Sequence, residues 1–201
     1  MRFFLTFFLL AFYTTIFGQS DYVMFVNDSS FNLTLDTEYQ VSINDELVTL
    51  RVRVKDTLNY DDILYRFKYS KDYKVSKTVI EDGVEQIMIM TADGSGILIQ
   101  QYTNLNPTML NEMMINEVTK ESLNYGFKLS REDYKRELIS GQKIEVDKAV
   151  LKYKDQTNIY EVASIGNKDE GIIIMSIRLN YVIGTEGQKI IDLMWNTLFY
   201  K

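Results

Sequence analysis

Ser140-Gly141-Gln142-Lys143 matches S-x-x-K, the spacing at which a lysine amine can take the proton of a serine hydroxyl and turn it into a nucleophile. That chemistry needs both side chains on one face of a helix. Here Gly141-Gln142 reads as a hairpin turn, so the match is expected to be accidental. The chain has neither His nor Cys. The usual base at neutral pH, the thiol nucleophile and the preferred zinc ligands are therefore missing. Paired acids remain at Asp61-Asp62, Glu81-Asp82 and Asp169-Glu170. A glycosidase would hold two such acids about 5–9 Å apart across the scissile bond, but all three pairs fall in expected turns, where acids serve as solvated turn formers. Asp93-Gly94-Ser95-Gly96 lacks the alternating oxygen ligands of a calcium loop. No catalytic residue, metal site or cofactor is expected.

The binding candidate is basic. Arg51, Arg53 and Lys55, and separately Arg66 and Lys68, alternate with apolar residues, so each set points to one side of a strand. If the two strands pair, the five make an anion- or partner-binding patch on an acidic chain. The plain alternative is a solvated outer face balanced by neighbouring acids. Tyr60, Tyr65, Tyr69 and Tyr73 could form a stacking platform for sugars, although tyrosine in strands is ordinarily there for packing. Met109, Met113 and Met114 could line an adaptable groove for a peptide or lipid, but periodicity turns two of them toward a core. Asn27-Asp28-Ser29 and Asn32-Leu33-Thr34 match the N-glycosylation pattern, and Asp56-Thr57-Leu58 a short O-glycan acceptor.

Location comes from the first residues. Arg2, the apolar run Phe3 to Phe17, and Gly18 before Gln19 have the layout of a secretory signal peptide, with cleavage expected after Gly18 and Ser20 as the alternative. The competing reading is an uncleaved anchor. A bilayer requires about 20 apolar residues, whereas Thr14 and Thr15 break this run and Gln19-Ser20-Asp21 end it. No Cys is available for a lipid anchor. The chain is thus expected to be periplasmic or secreted, without an integral membrane span once the signal is cleaved. Its formal net charge of −6 argues against a nucleic-acid partner. An exported chain without disulfides must be held by apolar burial alone.

Three segments are expected: the signal over 1–18, an N-terminal β extension over 19–57, and an α+β domain over 58–201. In the extension, alternation runs most clearly through Val48, Leu50, Val52 and Val54, with shorter strands at Tyr22 to Val26, Phe31 to Leu35 and Tyr39 to Ile43. Further strands are expected at Leu64 to Tyr69, Tyr73 to Ile80, Glu85 to Thr91 and Gly96 to Thr103. Glu81-Asp82-Gly83 and Ala92-Asp93-Gly94-Ser95 supply the turns between the last three. The period then changes. Asn106 as cap, Pro107 as first residue and Gly126 as stop predict a helix over about 107–125, with Leu110, Met113, Met114, Val118 and Tyr125 as its buried stripe. Strands resume at Tyr134 to Ser140, Lys143 to Tyr153, Asn158 to Ile165 and Gly171 to Leu179. A final helix over about 186–199 opens with a capping box, Thr185 and Gln188 each bonding back to the other. It buries Ile190, Ile191, Met194, Leu198 and Phe199, with Trp195 at the margin. This order predicts an antiparallel sheet flanked by two main helices, an α/β sandwich.

The segment Leu64-Tyr65-Arg66-Phe67-Lys68-Tyr69-Ser70-Lys71-Asp72-Tyr73-Lys74-Val75 resembles the opening of PsbP-like domains, where a strand ends in an aromatic-Ser/Pro-x-x-aromatic turn. The order of elements from 58 to 201 is similar to the same superfamily, which includes an extrinsic photosystem subunit, a Ran-binding import factor and DcrB-type envelope proteins. Ser70 stands where Pro is common. The resemblance implies a largely non-enzymatic binding or scaffolding domain and transfers no functional residue. The expected role is therefore a protein-binding module with an envelope protein partner, of undefined oligomeric state. The alternatives are a carrier of a small apolar or anionic ligand between helix and sheet, and a carboxylate-dependent glycan hydrolase.

Overall fold

The computed structural model describes residues 22–26, 28–43 and 46–201; the expected signal, its cleavage positions and Asn27 lie outside them. The described residues form two compact units that meet in sequence at Val54 and Lys55. No helix among them is long and apolar enough to cross a membrane.

The first unit holds two separate hairpins. β1 (Tyr22–Val26) pairs antiparallel with β2 (Ser29–Leu33), and β3 (Glu38–Ile43) with β4 (Glu46–Arg51). Leu33 and Val41 are its buried side chains, while Phe25 and Leu47 are exposed. The alternation expected to carry a strand through Val54 ends at Arg51, where the Asp36 N–H donates to the Val52 carbonyl instead of a ladder partner.

The second unit is built on antiparallel strands. These are β5 (Thr57–Asp61), β6 (Tyr65–Ser70), β7 (Ser76–Glu81), β8 (Val84–Met90) and β9 (Gly96–Tyr102), then β10 (Lys128–Arg131), β11 (Tyr134–Glu137), β12 (Lys143–Tyr153), β13 (Gln156–Gly166), β14 (Gly171–Arg178) and β15 (Phe199–Tyr200). Helices α1 (Asn111–Asn124) and α2 (Glu186–Thr197) complete it. The eight-stranded sheet has the order β10-β12-β13-β14-β9-β8-β7, with β11 also on β12. Two meanders, β7 to β9 and β12 to β14, therefore join through β9 and β14 in the middle. A smaller sheet has the order β15-β6-β5.

Alternation on the central strand creates two cores. Ile172 and Ile174 of β14 belong to the core under α2, with Ile87, Ile97, Ile99, Ile191, Met194 and Trp195. Ile173 and Met175 belong to the core under α1, with Ile115, Leu151 and Val162. A strand buried on both faces reads as an unbroken apolar run, as Ile172 to Met175 of β14 does. Each such side chain contributes about 1.5–3 kcal/mol on burial. The expected α+β class, with an antiparallel sheet and two main helices, is what the chain forms.

The differences from expectation are local. Residues 57–61, for which no strand is expected, are a strand because Leu58 and Tyr60 turn inward and the Tyr60 ring packs 5.4 Å from Phe67. β10 is exposed along its whole length and has no alternation to read; its ladder with β12 makes it a strand. β7 starts at Ser76 rather than Tyr73, whose N–H donates to the Ser70 carbonyl in a turn. It is an exposed edge interrupted by a bulge between Val79 and Glu81, a device that discourages further strand pairing.

Before α1, Asn106 caps as expected, its carboxamide oxygen accepting from the Thr108 N–H at 3.1 Å, but Pro107–Met109 close as a 3-10 turn, so α1 begins only at Asn111. Glycine lets that turn sit close. A Cβ on Gly171 would lie 2.6 Å from both the Ile165 carbonyl oxygen and Pro107. α1 buries Ile115 and Thr119, with Leu110, Met114 and Val118 packed beside them. Met113 and Tyr125, expected in the buried stripe, are 57% and 74% exposed. The reason is angular: Met113 lies about 200° around the helix from Ile115, so one face cannot bury both.

α2 starts as expected with Thr185 Oγ1 accepting from the Gln188 N–H. Gln188 does not reach back; its amide serves Arg178 and Asp192 instead. Trp195, expected at the margin, is 2% exposed. The helix ends at Thr197 because Leu198 is extended and Phe199-Tyr200 form β15 against β6. Gly187 allows the first turn to approach the sheet, since a Cβ there would stand 2.4 Å from Ser95 Cβ.

Candidate functional site

The five basic residues expected to share a face do not share a ladder. Arg51 is on β4, whose partner is β3, and forms an ion pair with Asp36 at 3.4 Å. Arg53 and Lys55 follow the end of β4 and are exposed. Arg66 and Lys68 are on β6, whose neighbours are β5 and β15, so the pairing expected to join the two sets is not made. The strand that takes β6 is β5, which alternation did not reveal.

Arg66 and Lys68 do come together with other groups. Cross-strand register aligns Phe199, Arg66 and Asp61 across the small sheet, with Lys68 opposite Asn59. The Arg66 guanidinium carbon lies 4.4 Å from the centre of the Phe199 ring, a cation–π geometry. Asp61 accepts from Lys201 Nζ at 2.6 Å. The Lys68 N–H donates to Thr197 Oγ1 at 2.9 Å, so the side chain of the last residue of α2 closes the strand edge. Asn59, Asp61, Arg66, Lys68 and Thr197, with Phe67 and Ile139, line a cleft of about 320 Å³.

The acids fit catalysis poorly. Asp62 accepts from the Tyr60 hydroxyl at 2.7 Å, the Ile63 N–H at 2.8 Å and Lys77 at 3.0 Å. Burial pushes its pKa up, but these donors and the Lys77 charge outweigh burial and hold it below the usual carboxylate value. The Tyr60 phenol is pushed up to about 12, by burial first and then by Asp62. Glu81, Asp82 and Asp169 are exposed. Asp93 accepts from the Thr91 hydroxyl and from the Ser95 N–H, fixing a turn. Ser140 Oγ accepts from the Tyr200 N–H, while Lys143 Nζ lies 3.9 Å from Glu137 across the hairpin. Serine and lysine thus face different partners.

The tyrosines do not make an open platform. Tyr65 is fully buried with its ring parallel to Phe67, and Tyr60, Tyr69 and Tyr73 pack half-buried against the same core. The methionines are the reverse. Met114 packs inward, but Met109 is 89% exposed and Met113 borders a surface groove along α1 with Lys120 and Leu123.

A buried polar network beneath α2 escaped the sequence reading. Glu161 on β13 accepts from Arg178 Nη1 at 2.8 Å, Ser176 Oγ at 2.7 Å and the Tyr134 hydroxyl at 3.0 Å. Arg178 Nε donates to Gln188 Oε1 at 2.9 Å, and Gln188 donates to Asp192 at 2.6 Å. Burial raises the Glu161 pKa, yet the Arg178 charge and the three donors together leave it below its ordinary value. Its visible signal is a lone acid inside the apolar run Ile159-Tyr160-Glu161-Val162-Ala163. With every oxygen engaged, Glu161 acts as a bolt between sheet and helix rather than as a reactive acid. Among the described residues no cluster of acids is arranged to hold a metal ion.

No protein family model matches the chain, and no curated protein matches it. Among solved structures it is similar to the solution structure of cyanobacterial PsbP (CyanoP) from Synechocystis sp. PCC 6803, at 12% identity and a TM-score of 0.46, covering 75% of this chain and 95% of that one. The likeness is to a PsbP protein, the family that the segment from Leu64 to Val75 resembles.

Proposed function

We propose that this chain is an exported, non-catalytic module that binds a protein partner or stabilises an envelope assembly. The observation that carries this reading is the contrast between its acids and its apolar side chains. The acids best placed for chemistry, Asp61, Asp62 and Glu161, are held by Lys201, by Tyr60 and Lys77, and by Arg178. Met109, Met113 and Tyr125 are instead left in solvent around α1. Exposed methionine adapts its shape to a partner surface. Export rests on the leader-like run from Arg2 to Gly18.

The test is photo-crosslinking in the source cell, with a benzophenone amino acid at the position of Met113 and a control at Lys168. Discrete, reproducible adducts at Met113 and none at Lys168 are expected. An inert monomer without adducts would overturn the reading. A small-ligand carrier has less support, because the spaces expected for it between helix and sheet are filled by Ile191, Met194 and Trp195 beneath α2 and by Ile115, Leu151 and Val162 beneath α1. A hydrolase has least, since Asp62 is held ionised and Asp61 is ion-paired.

A further inference from the structure

We propose that the cleft beside β6 captures an acidic peptide segment of the partner, with Arg66 and Lys68 as the recognition pair; this rests on the binding reading above. In the small sheet and its surroundings most cations are neutralised: Lys77 by Asp62 and Glu85, Lys201 by Asp61. Arg66 and Lys68 form no ion pair among the described residues, although the chain as a whole carries a net charge of −6. Two adjacent uncompensated cations on an acidic protein make a local site for an anion.

The geometry narrows the anion. Stacking on Phe199 holds the Arg66 guanidinium in one orientation, and its planar fork is suited to bidentate contact with a carboxylate. Asp61 is the acid among the lining residues, and its charge is already met by Lys201. Ile139 is 60% exposed at the rim, and Asn59 and Thr197 add neutral polar groups. An occupant that uses all of these carries carboxylates beside an apolar side chain, which describes a peptide better than a free inorganic anion. A membrane surface is the weaker match: the site is concave, and the net negative charge of the chain repels anionic lipid. Addition of a peptide as a further strand is also disfavoured here, because Thr197 already occupies the Lys68 N–H.

The test uses the whole chain purified from the cell that makes it and a fluorescent peptide, acetyl-Glu-Leu-Glu-Phe-Asp-amide, followed by anisotropy. Saturable binding is expected, weakening with added salt and falling roughly tenfold in the double variant Arg66→Gln with Lys68→Gln, as loss of two exposed charge pairs implies. The double variant Arg51→Gln with Arg53→Gln should bind as the parent does, and circular dichroism confirms that both variants fold. Equal binding of the Gln/Asn version of the peptide, or no binding at all, would overturn the proposal. So would displacement by inorganic phosphate as effective as by unlabelled peptide, or attachment to phosphatidylglycerol vesicles without peptide binding. If the partner crosslinked through Met113 is captured equally well by the Arg66/Lys68 variant, the cleft is refuted and the binding reading stands. Absence of any crosslinked partner refutes the binding reading itself.

Discussion

The two helices cover opposite faces of one sheet and do so in different ways. α2 buries Ile190, Ile191, Met194 and Trp195, lets Gly187 touch Ser95, and is tied to the sheet through Gln188, Arg178 and Glu161. α1 buries Ile115 and Thr119 and leaves Met113, Leu123 and the following Tyr125 exposed. Both helices are amphipathic in sequence, but the polar anchor of α2 reaches a buried ion pair, Glu161 with Arg178, whereas the polar ties of α1, Glu112 to Arg131 and Ser122 to Tyr160, are 3.4 Å contacts at exposed or half-buried positions. The difference teaches that α2 is part of what makes the domain fold, whereas α1 has surface to spare for a second molecule.

The most damaging change expected is Glu161→Ala, which leaves the Arg178 guanidinium buried without its carboxylate and should cost roughly 3–5 kcal/mol in denaturant unfolding. A loss below 1 kcal/mol would mean that the network is not an anchor. Met194→Ala should cost about 2–5 kcal/mol through the cavity it opens beneath α2.

Titration probes the α2 face next. Glu161 has a folded pKa below its ordinary value of 4.5, so its contribution is complete above that pH and is lost as pH falls through the lowered value. Tyr60 and Tyr134 are raised from 10.0 to about 12, so their contribution is present below pH 10 and is lost as pH climbs toward 12. Chemical denaturation across pH should show both losses, and the acid loss should shrink in Glu161→Gln, leaving the part that comes from Asp62. Hydrogen exchange should then find α1 amides less protected than those of α2, because local opening follows the amount of buried contact. Equal protection would remove the contrast. Smallest of all, Met113→Ser should change stability by no more than about 0.5 kcal/mol while weakening partner capture.

Legibility in the sequence followed the physics of each element. β12 was readable to the residue, Lys143–Tyr153, because its apolar residues Ile144, Val146, Val150 and Leu151 lie between turns marked by Gly141 and Asp155. β10 was not, since Lys128-Leu129-Ser130-Arg131 is exposed throughout and depends on β12 for its hydrogen bonds. Helix starts were legible from Asn106 and Thr185, which cap by short-range bonds. The rotational phase of α1 was not, because Met113 and Met114 are equally apolar and only the packed sheet selects between them. Arg66 and Lys68 stand out by type and alternation, but their ladder neighbours do not: register with β5 and β15 puts Asp61 and Phe199 beside Arg66 and Asn59 beside Lys68.

Residue types and local spacing alone determined the antiparallel hairpins, the two helices and their caps, and the lack of imidazole and thiol chemistry. Those properties arise from backbone preference, alternation and composition, which act within a few residues of the chain. Which strands became neighbours, which side of α1 faced water, and that Glu161 would meet Arg178 were decided only by the folded domain. Those outcomes depend on groups far apart in sequence competing to bury the same surface and to satisfy each other's charges, and no local pattern encodes who wins.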